Sequence, residues 1–87
     1  MHQAGHKLIF DALGWLGALL FLVSYALLIT KRWSSTHTAY HVFNILGGIL
    51  IGTSALYDHS FPGAFINIMW AMLALYGLYR DHNRFSP

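Results

Sequence analysis

Residues Ala39–Tyr57, AYHVFNILGGILIGTSALY, form a run of 19 residues without a formally charged side chain. A helix of about 20 mostly apolar residues is what crossing a bilayer requires. Two similar runs flank it, Leu8–Thr30 with Asp11 as its one charge and Gly63–Tyr79 with none. The shortest run reaches about 25 Å at the helical rise per residue. The sequence therefore predicts an all-α integral membrane protein, a bundle of three transmembrane helices that forms a single domain over residues 1–87.

The composition of the chain agrees with this prediction. Hydrophobic residues make up 56% of it and charged residues only 9%, against about 25% charged residues in ordinary soluble domains. The absence of cysteine excludes thiolate catalysis and Cys-ligated metal sites. The net charge of +2 comes from scattered basic residues, so we expect no binding to nucleic acid.

The basic residues predict how the helices are oriented in the membrane. Lys7 is alone on the side that carries the N-terminus and the 58–62 connection. The other side, which carries the 31–38 connection and the C-terminus, holds Lys31, Arg32, Arg80 and Arg84. Because cytoplasmic segments carry an excess of Lys and Arg, we expect the N-terminus outside and the C-terminus in the cytoplasm.

Small residues recur at helical spacing on each run, and Gly48 and Gly52 form a GxxxG motif. Helices in lipid associate through such small residues and through interhelical hydrogen bonds. The same stripes are also suited to a subunit–subunit interface. The predicted helix-packing residues are Gly14, Gly17, Ala18, Gly48, Gly52, Ala71, Ala74 and Gly77.

Polar side chains at membrane depth fall into an outer and an inner layer with bulky residues between them. Polar groups there usually face protein or a wet cavity, and two such layers would suit a gated path. Alternatively, the Asn side chains fix helix register and the hydroxyl groups bond back to their own helix. The candidate solute-pathway residues are Asn44, Asn67, Trp70, Tyr25 and Ser24.

Catalytic and cofactor chemistry find little support. His2 and His6 are four residues apart, as are His37 and His41, and this spacing places both rings of a pair on one helical face. Neither pair has a third ligand, so we expect no metal and no cofactor. No nucleophile–base pair and no phosphate-binding loop are present, and we expect a protein that is not an enzyme.

Several motifs resemble those of an uncharacterised family of small bacterial three-helix membrane proteins. They include Gly14-Trp15-Leu16-Gly17-Ala18, Phe43-Asn44-Ile45-Leu46-Gly47 and Ala74-Leu75-Tyr76-Gly77-Leu78-Tyr79-Arg80. The resemblance covers residues 8–80 and implies a multi-pass protein of the bacterial inner (cytoplasmic) membrane.

More remotely, the layout is similar to that of the SemiSWEET and PQ-loop transporters. Those are three-helix units that form homodimers around a central sugar pathway. Pro62 and Asn67 match the entry of their third helix and its substrate-contacting Asn. Their first-helix Pro-Gln is absent here, because Ser24-Tyr25 is followed by Ala26.

Two functions are consistent with these features. The first is a homodimeric, transporter-like half unit in the lipid bilayer that passes a small polar solute. The alternative is a non-catalytic accessory or assembly subunit of a larger membrane complex, with other membrane subunits as partners.

Overall fold

The structure, a computed structural model, describes residues 2–85 and the side chains of residues 5–81. This part of the chain forms three α-helices, which are α1 (His2–Ile29), α2 (Thr38–Tyr57) and α3 (Phe61–Phe85). Each contains a segment long and apolar enough to cross a membrane: Gly5–Ile29, Thr38–Tyr57 and Phe61–Asp81. The predicted all-α chain with three such helices is confirmed.

The outer helices are longer than the predicted spans. α1 begins well before Leu8, and α3 continues beyond Tyr79. Hydropathy marks where the apolar residues stop, whereas backbone hydrogen bonding carries a helix on through polar residues. Asp81, which the sequence placed outside the third span, therefore lies within α3.

Short connections turn the chain back on itself at both ends of α2. Lys31 and His59 adopt positive φ angles of 64° and 59° just after α1 and α2 end. The N–H of Ser60 donates to the carbonyl of Ala55 at 2.8 Å, so the second turn closes as a left-handed helix cap. Pro62 lies in the first turn of α3, where its missing N–H costs nothing.

α2 is the central helix, because it packs against both α1 and α3, whereas in the described part of the chain α1 and α3 do not pack against each other. Two adjacent glycines explain this position. A Cβ on Gly47 would lie 2.5 Å from the ring of Phe21 in α1. A Cβ on Gly48 would lie 2.7 Å from the carbonyl oxygen of Asn67 in α3. Consecutive residues point about 100° apart around a helix, so the pair gives α2 two close contact faces.

The distribution of side chains suits a lipid environment. The buried hydrophobic side chains in the described part are Ala64 and Ala71. The buried polar side chains are Ser24, His41, Asn44 and Asp81, whereas many large Leu, Ile, Phe and Met side chains point outward. Small and polar residues inside with bulky apolar residues outside is the pattern expected of helices packed in a bilayer.

Candidate functional site

A cleft of about 320 Å³ opens between α2 and α3 near the start of α2. This α2/α3 cleft is lined by Tyr40, His41, Asn44, Trp70, Leu73, Ala74, Tyr76, Gly77 and Arg80. A second space of about 220 Å³, the three-helix cavity, is lined by Phe21, Ser24, Tyr25, Tyr40, Asn44 and Trp70. Tyr40, Asn44 and Trp70 belong to both, so the two spaces adjoin.

A hydrogen bond across the helices forms the shared wall. The indole Nε1 of Trp70 donates to Oδ1 of Asn44 at 2.9 Å. The amide Nδ2 of Asn44 donates to the carbonyl of Tyr40 at 2.7 Å, one turn back in α2. Asn44 is buried and Trp70 is half exposed. A buried Asn that is satisfied on both sides fixes the register of α2 against α3.

The other predicted pathway residues occupy different surroundings. Ser24 lines the three-helix cavity, and its hydroxyl donates to the carbonyl of Phe21 at 2.9 Å. Tyr25 also lines this cavity, with most of its surface exposed. Asn67 lines neither space, and its Nδ2 donates to the carbonyl of Gly63 at 2.8 Å. The structure thus brings Ser24, Tyr25, Asn44 and Trp70 together and leaves Asn67 apart.

A buried ionic cluster at the end of the α2/α3 cleft was not anticipated from the sequence. Nε2 of His41 lies 2.7 Å from Oδ2 of Asp81. The guanidinium of Arg80 donates to both carboxylate oxygens, from Nε to Oδ1 at 3.0 Å and from Nη2 to Oδ2 at 3.3 Å. Because this is the pattern of an ionised carboxylate, we assign His41 Nε2 as a donor. His41 and Asp81 are almost inaccessible, whereas about half of the Arg80 side chain is exposed.

The sequence had paired His41 with His37 by their spacing, but the structure pairs it with a residue 40 positions away. His37 instead stacks on Trp33 with ring centroids 5.5 Å apart. No group of three potential metal ligands occurs among the described residues. The sequence feature that could have pointed to this pairing is the four-residue spacing of Gly77 and Asp81, which places both residues on one face of α3.

The predicted packing residues divide among three kinds of position. Gly14 and Gly17 face α2, where an added Cβ would meet Ser54 and the carbonyl of Gly47. The set at the contact between α2 and α3 is Gly48, Gly52 and Ala71. Gly77 also faces α2, where an added Cβ would meet the ring of His41, and the residues that border cavities instead are Ala18 and Ala74.

At the opposite end of the bundle, one lysine joins two acidic side chains. Nζ of Lys7 lies 3.3 Å from a carboxylate oxygen of Asp11 and 3.3 Å from one of Asp58. The bridge connects the start of α1 to the connection between α2 and α3. All three side chains are substantially exposed, so these ion pairs contribute little to stability.

Comparison with known proteins provides a family but no activity. A family model matches residues 10–84 of the chain, and the family is small and uncharacterised. No curated protein and no solved structure matches the chain. These comparisons give no support to the more remote similarity to the SemiSWEET and PQ-loop transporters.

Proposed function

We propose that this chain, which belongs to this small, uncharacterised family, acts as one half of a homodimeric, transporter-like unit. The unit passes a small polar solute without chemical change, in the manner of a SemiSWEET-type half. It resides in the inner membrane of a bacterium, with the N-terminus outside and the C-terminus in the cytoplasm.

The observation that carries the proposal is the α2/α3 cleft with its adjoining cavity. Four of the five predicted pathway residues line these spaces. They are Ser24, Tyr25, Asn44 and Trp70. Ligand sites are typically concave, mostly apolar and equipped with a few polar groups. Aromatic walls beside one amide and one guanidinium meet that description.

A second copy is the natural cover for the cleft. Among the residues that the structure describes, α1 and α3 do not pack against each other, so one chain leaves the spaces between its helices open at the side. The half-exposed Trp70 and the exposed Tyr76 of the cleft lining would then be available to pack against a second copy. A two-fold axis along the membrane normal would bring two clefts together and enclose a pathway.

Solute flux tests this proposal directly. The full chain is reconstituted in liposomes, and light scattering after rapid mixing follows the entry of glycerol, glucose, potassium acetate and potassium phenyl phosphate. Valinomycin is present to balance charge. We expect flux with the wild type, its loss in Asn44→Leu and its retention in Asn67→Leu, because Asn67 lines neither space. No flux above empty liposomes, or equal flux through both variants, would contradict the proposal.

Disulfide crosslinking tests the homodimer. The chain has no cysteine, so one substitution introduces a unique thiol. Tyr76 is exposed and lines the cleft, whereas Leu75 is equally exposed at the same depth and does not. In native membranes, Tyr76→Cys should form a disulfide between two copies and Leu75→Cys should not. The reverse result would place the interface elsewhere.

The second candidate is an accessory subunit of a larger membrane complex. It is favoured by the side chains of Ser24 and Asn67, which donate hydrogen bonds to carbonyls of their own helices. Side chains bonded in this way have a structural role. Native mass spectrometry after gentle extraction separates the candidates. A species of two identical chains supports the transporter half, and a species containing other polypeptides supports the subunit.

A further inference from the structure

The α2/α3 cleft has a single formally charged side chain in its lining, that of Arg80. The carboxylate of Asp81 is not part of the cleft lining, and only 2% of its side chain is exposed. It accepts from both His41 and Arg80, so its oxygens are already engaged. Among the described residues, the cleft therefore presents the remaining N–H donors of one guanidinium, whose charge is balanced by a buried carboxylate, and no exposed anion.

The guanidinium keeps donors available for a ligand. Arg carries five N–H groups, and the contacts with Asp81 use Nε and Nη2. No described side chain takes a hydrogen bond from Nη1. Nη1 therefore keeps both of its N–H groups and Nη2 keeps one. Together they form an edge that can donate to the two oxygens of a carboxylate or phosphate.

The start of α2 adds to the positive potential at this end of the cleft. Tyr40 and His41 belong to the first turn of α2, where the helix dipole is positive. The residue that caps α2, His37, makes no hydrogen bond with its side chain to the free N–H groups. An anion beside Arg80 would thus face the free N–H donors of the guanidinium and the positive end of the α2 dipole.

The rest of the cleft suits an apolar body. Its walls beyond Arg80 include the rings of Trp70 and Tyr76 and the side chain of Leu73. The indole N–H is occupied by Asn44, so Trp70 offers mainly its ring surface. The volume of about 320 Å³ lies in the range of sites for small molecules.

We propose that the α2/α3 cleft binds a small soluble organic anion, a carboxylate or phosphate monoester with an aromatic or aliphatic body. The acidic group pairs with the free edge of Arg80, and the body lies against Trp70 and Leu73. This inference rests on the proposed function, for which it names the class of solute.

Equilibrium binding of phenyl phosphate tests the inference. The full chain is placed in nanodiscs of phosphatidylcholine, which supplies no anionic lipid, and binding is measured by calorimetry. We expect saturable binding that is weakened about tenfold or more in Arg80→Gln, the loss expected for one charge-assisted hydrogen bond. Arg32→Gln, a control at an exposed position outside the cleft, should bind as the wild type does. Benzyl alcohol should bind far more weakly than phenyl phosphate.

A second variant covers the case in which Arg80→Gln disturbs the cluster with Asp81. Ala74→Leu adds bulk to the cleft lining and leaves every charge in place, so it should also weaken binding. Equal binding of phenyl phosphate by the wild type, Arg80→Gln and Ala74→Leu, or no binding at all, would overturn the inference.

Two further measurements distinguish a site for a soluble anion from a lipid site and from the transporter proposal. Arg80-dependent retention of phosphatidylglycerol in native mass spectra, without phenyl phosphate binding, would identify a lipid site and overturn it. Phenyl phosphate binding without flux of any solute would contradict the transporter proposal and leave the anion site standing. Flux of glycerol or glucose without anion binding would support the transporter proposal and overturn the anion site.

Discussion

The imidazole of His41 lies directly on the backbone of α3 at Gly77. A Cβ on Gly77 would be 2.7 Å from Cε1 of the ring, closer than carbon atoms approach. Asp81, one turn further along α3, then meets Nε2 of the same ring at 2.7 Å. The absence of a side chain at Gly77 therefore allows the His41 ring to reach Asp81, and the cluster of His41, Arg80 and Asp81 depends on it.

Replacement of Gly77 by Ala should destabilise the protein by about 1–3 kcal/mol, the usual cost of overpacking. The added methyl group would push the ring away from α3 and lengthen its hydrogen bond to Asp81. The measurement is the free energy of unfolding in mixed micelles. Gly5→Ala is the control, because nothing lies within 4 Å of a Cβ there, and it should cost nothing. Equal stability of the two variants would show that the ring moves freely.

His41 and Asp81 should be strongly coupled. His41→Phe takes one of its two partners from the buried carboxylate, and Asp81→Asn removes the charge that His41 and Arg80 share, so each should lower the melting temperature. The double variant should lose less than the sum of the two. For the exposed pair Lys7 and Asp58, Lys7→Met and Asp58→Asn should have small, additive effects. Additivity in the buried pair would contradict the arrangement described for it.

The Trp70 substitution tests the bond that ties α2 to α3. Trp70→Phe removes the indole N–H and leaves Oδ1 of Asn44 without its donor, which should cost about 1 kcal/mol of unfolding free energy. Trp15 is 77% exposed, so Trp15→Phe serves as a matched control and should have little effect. If both variants unfold alike, the hydrogen bond makes no net contribution.

Gly48 should tolerate a methyl group less well than Gly63. A Cβ on Gly48 would meet the backbone carbonyl of Asn67 at 2.7 Å, and a backbone cannot rotate aside. At Gly63 the nearest atom is Oγ of Ser60 at 3.1 Å, which can turn. Thermal unfolding should show a loss of about 1–3 kcal/mol for Gly48→Ala and a smaller change for Gly63→Ala. The opposite order would mean that α2 and α3 separate easily.

Glycine at position 59 should stabilise the connection between α2 and α3. His59 has a φ of 59°, a conformation that costs a non-glycine residue about 1 kcal/mol. His59→Gly should therefore raise the melting temperature. His37 has an ordinary φ of −68°, and His37→Gly should give no gain. A lower melting temperature for His59→Gly would show that the contact of the His59 ring with Phe61 outweighs the relief of strain.

The sequence by itself determined the all-α class, the number of long apolar helices and the positions of the connections. These follow from local properties, namely unbroken apolar runs such as Ala39–Tyr57 and the breakers between them. A helix in lipid must satisfy its own backbone hydrogen bonds, so each run specifies its secondary structure without reference to the others.

Only the tertiary structure decided which side chains meet. The central position of α2, the pairing of His41 with Asp81 and the separation of Asn67 from Asn44 all depend on how far each helix is rotated and shifted against its neighbour. Rotation and shift arise from close contacts between residues far apart in the chain, such as Gly48 with Asn67. Helical periodicity identifies the face on which a residue lies, whereas its partner is determined by the packing of two helices together.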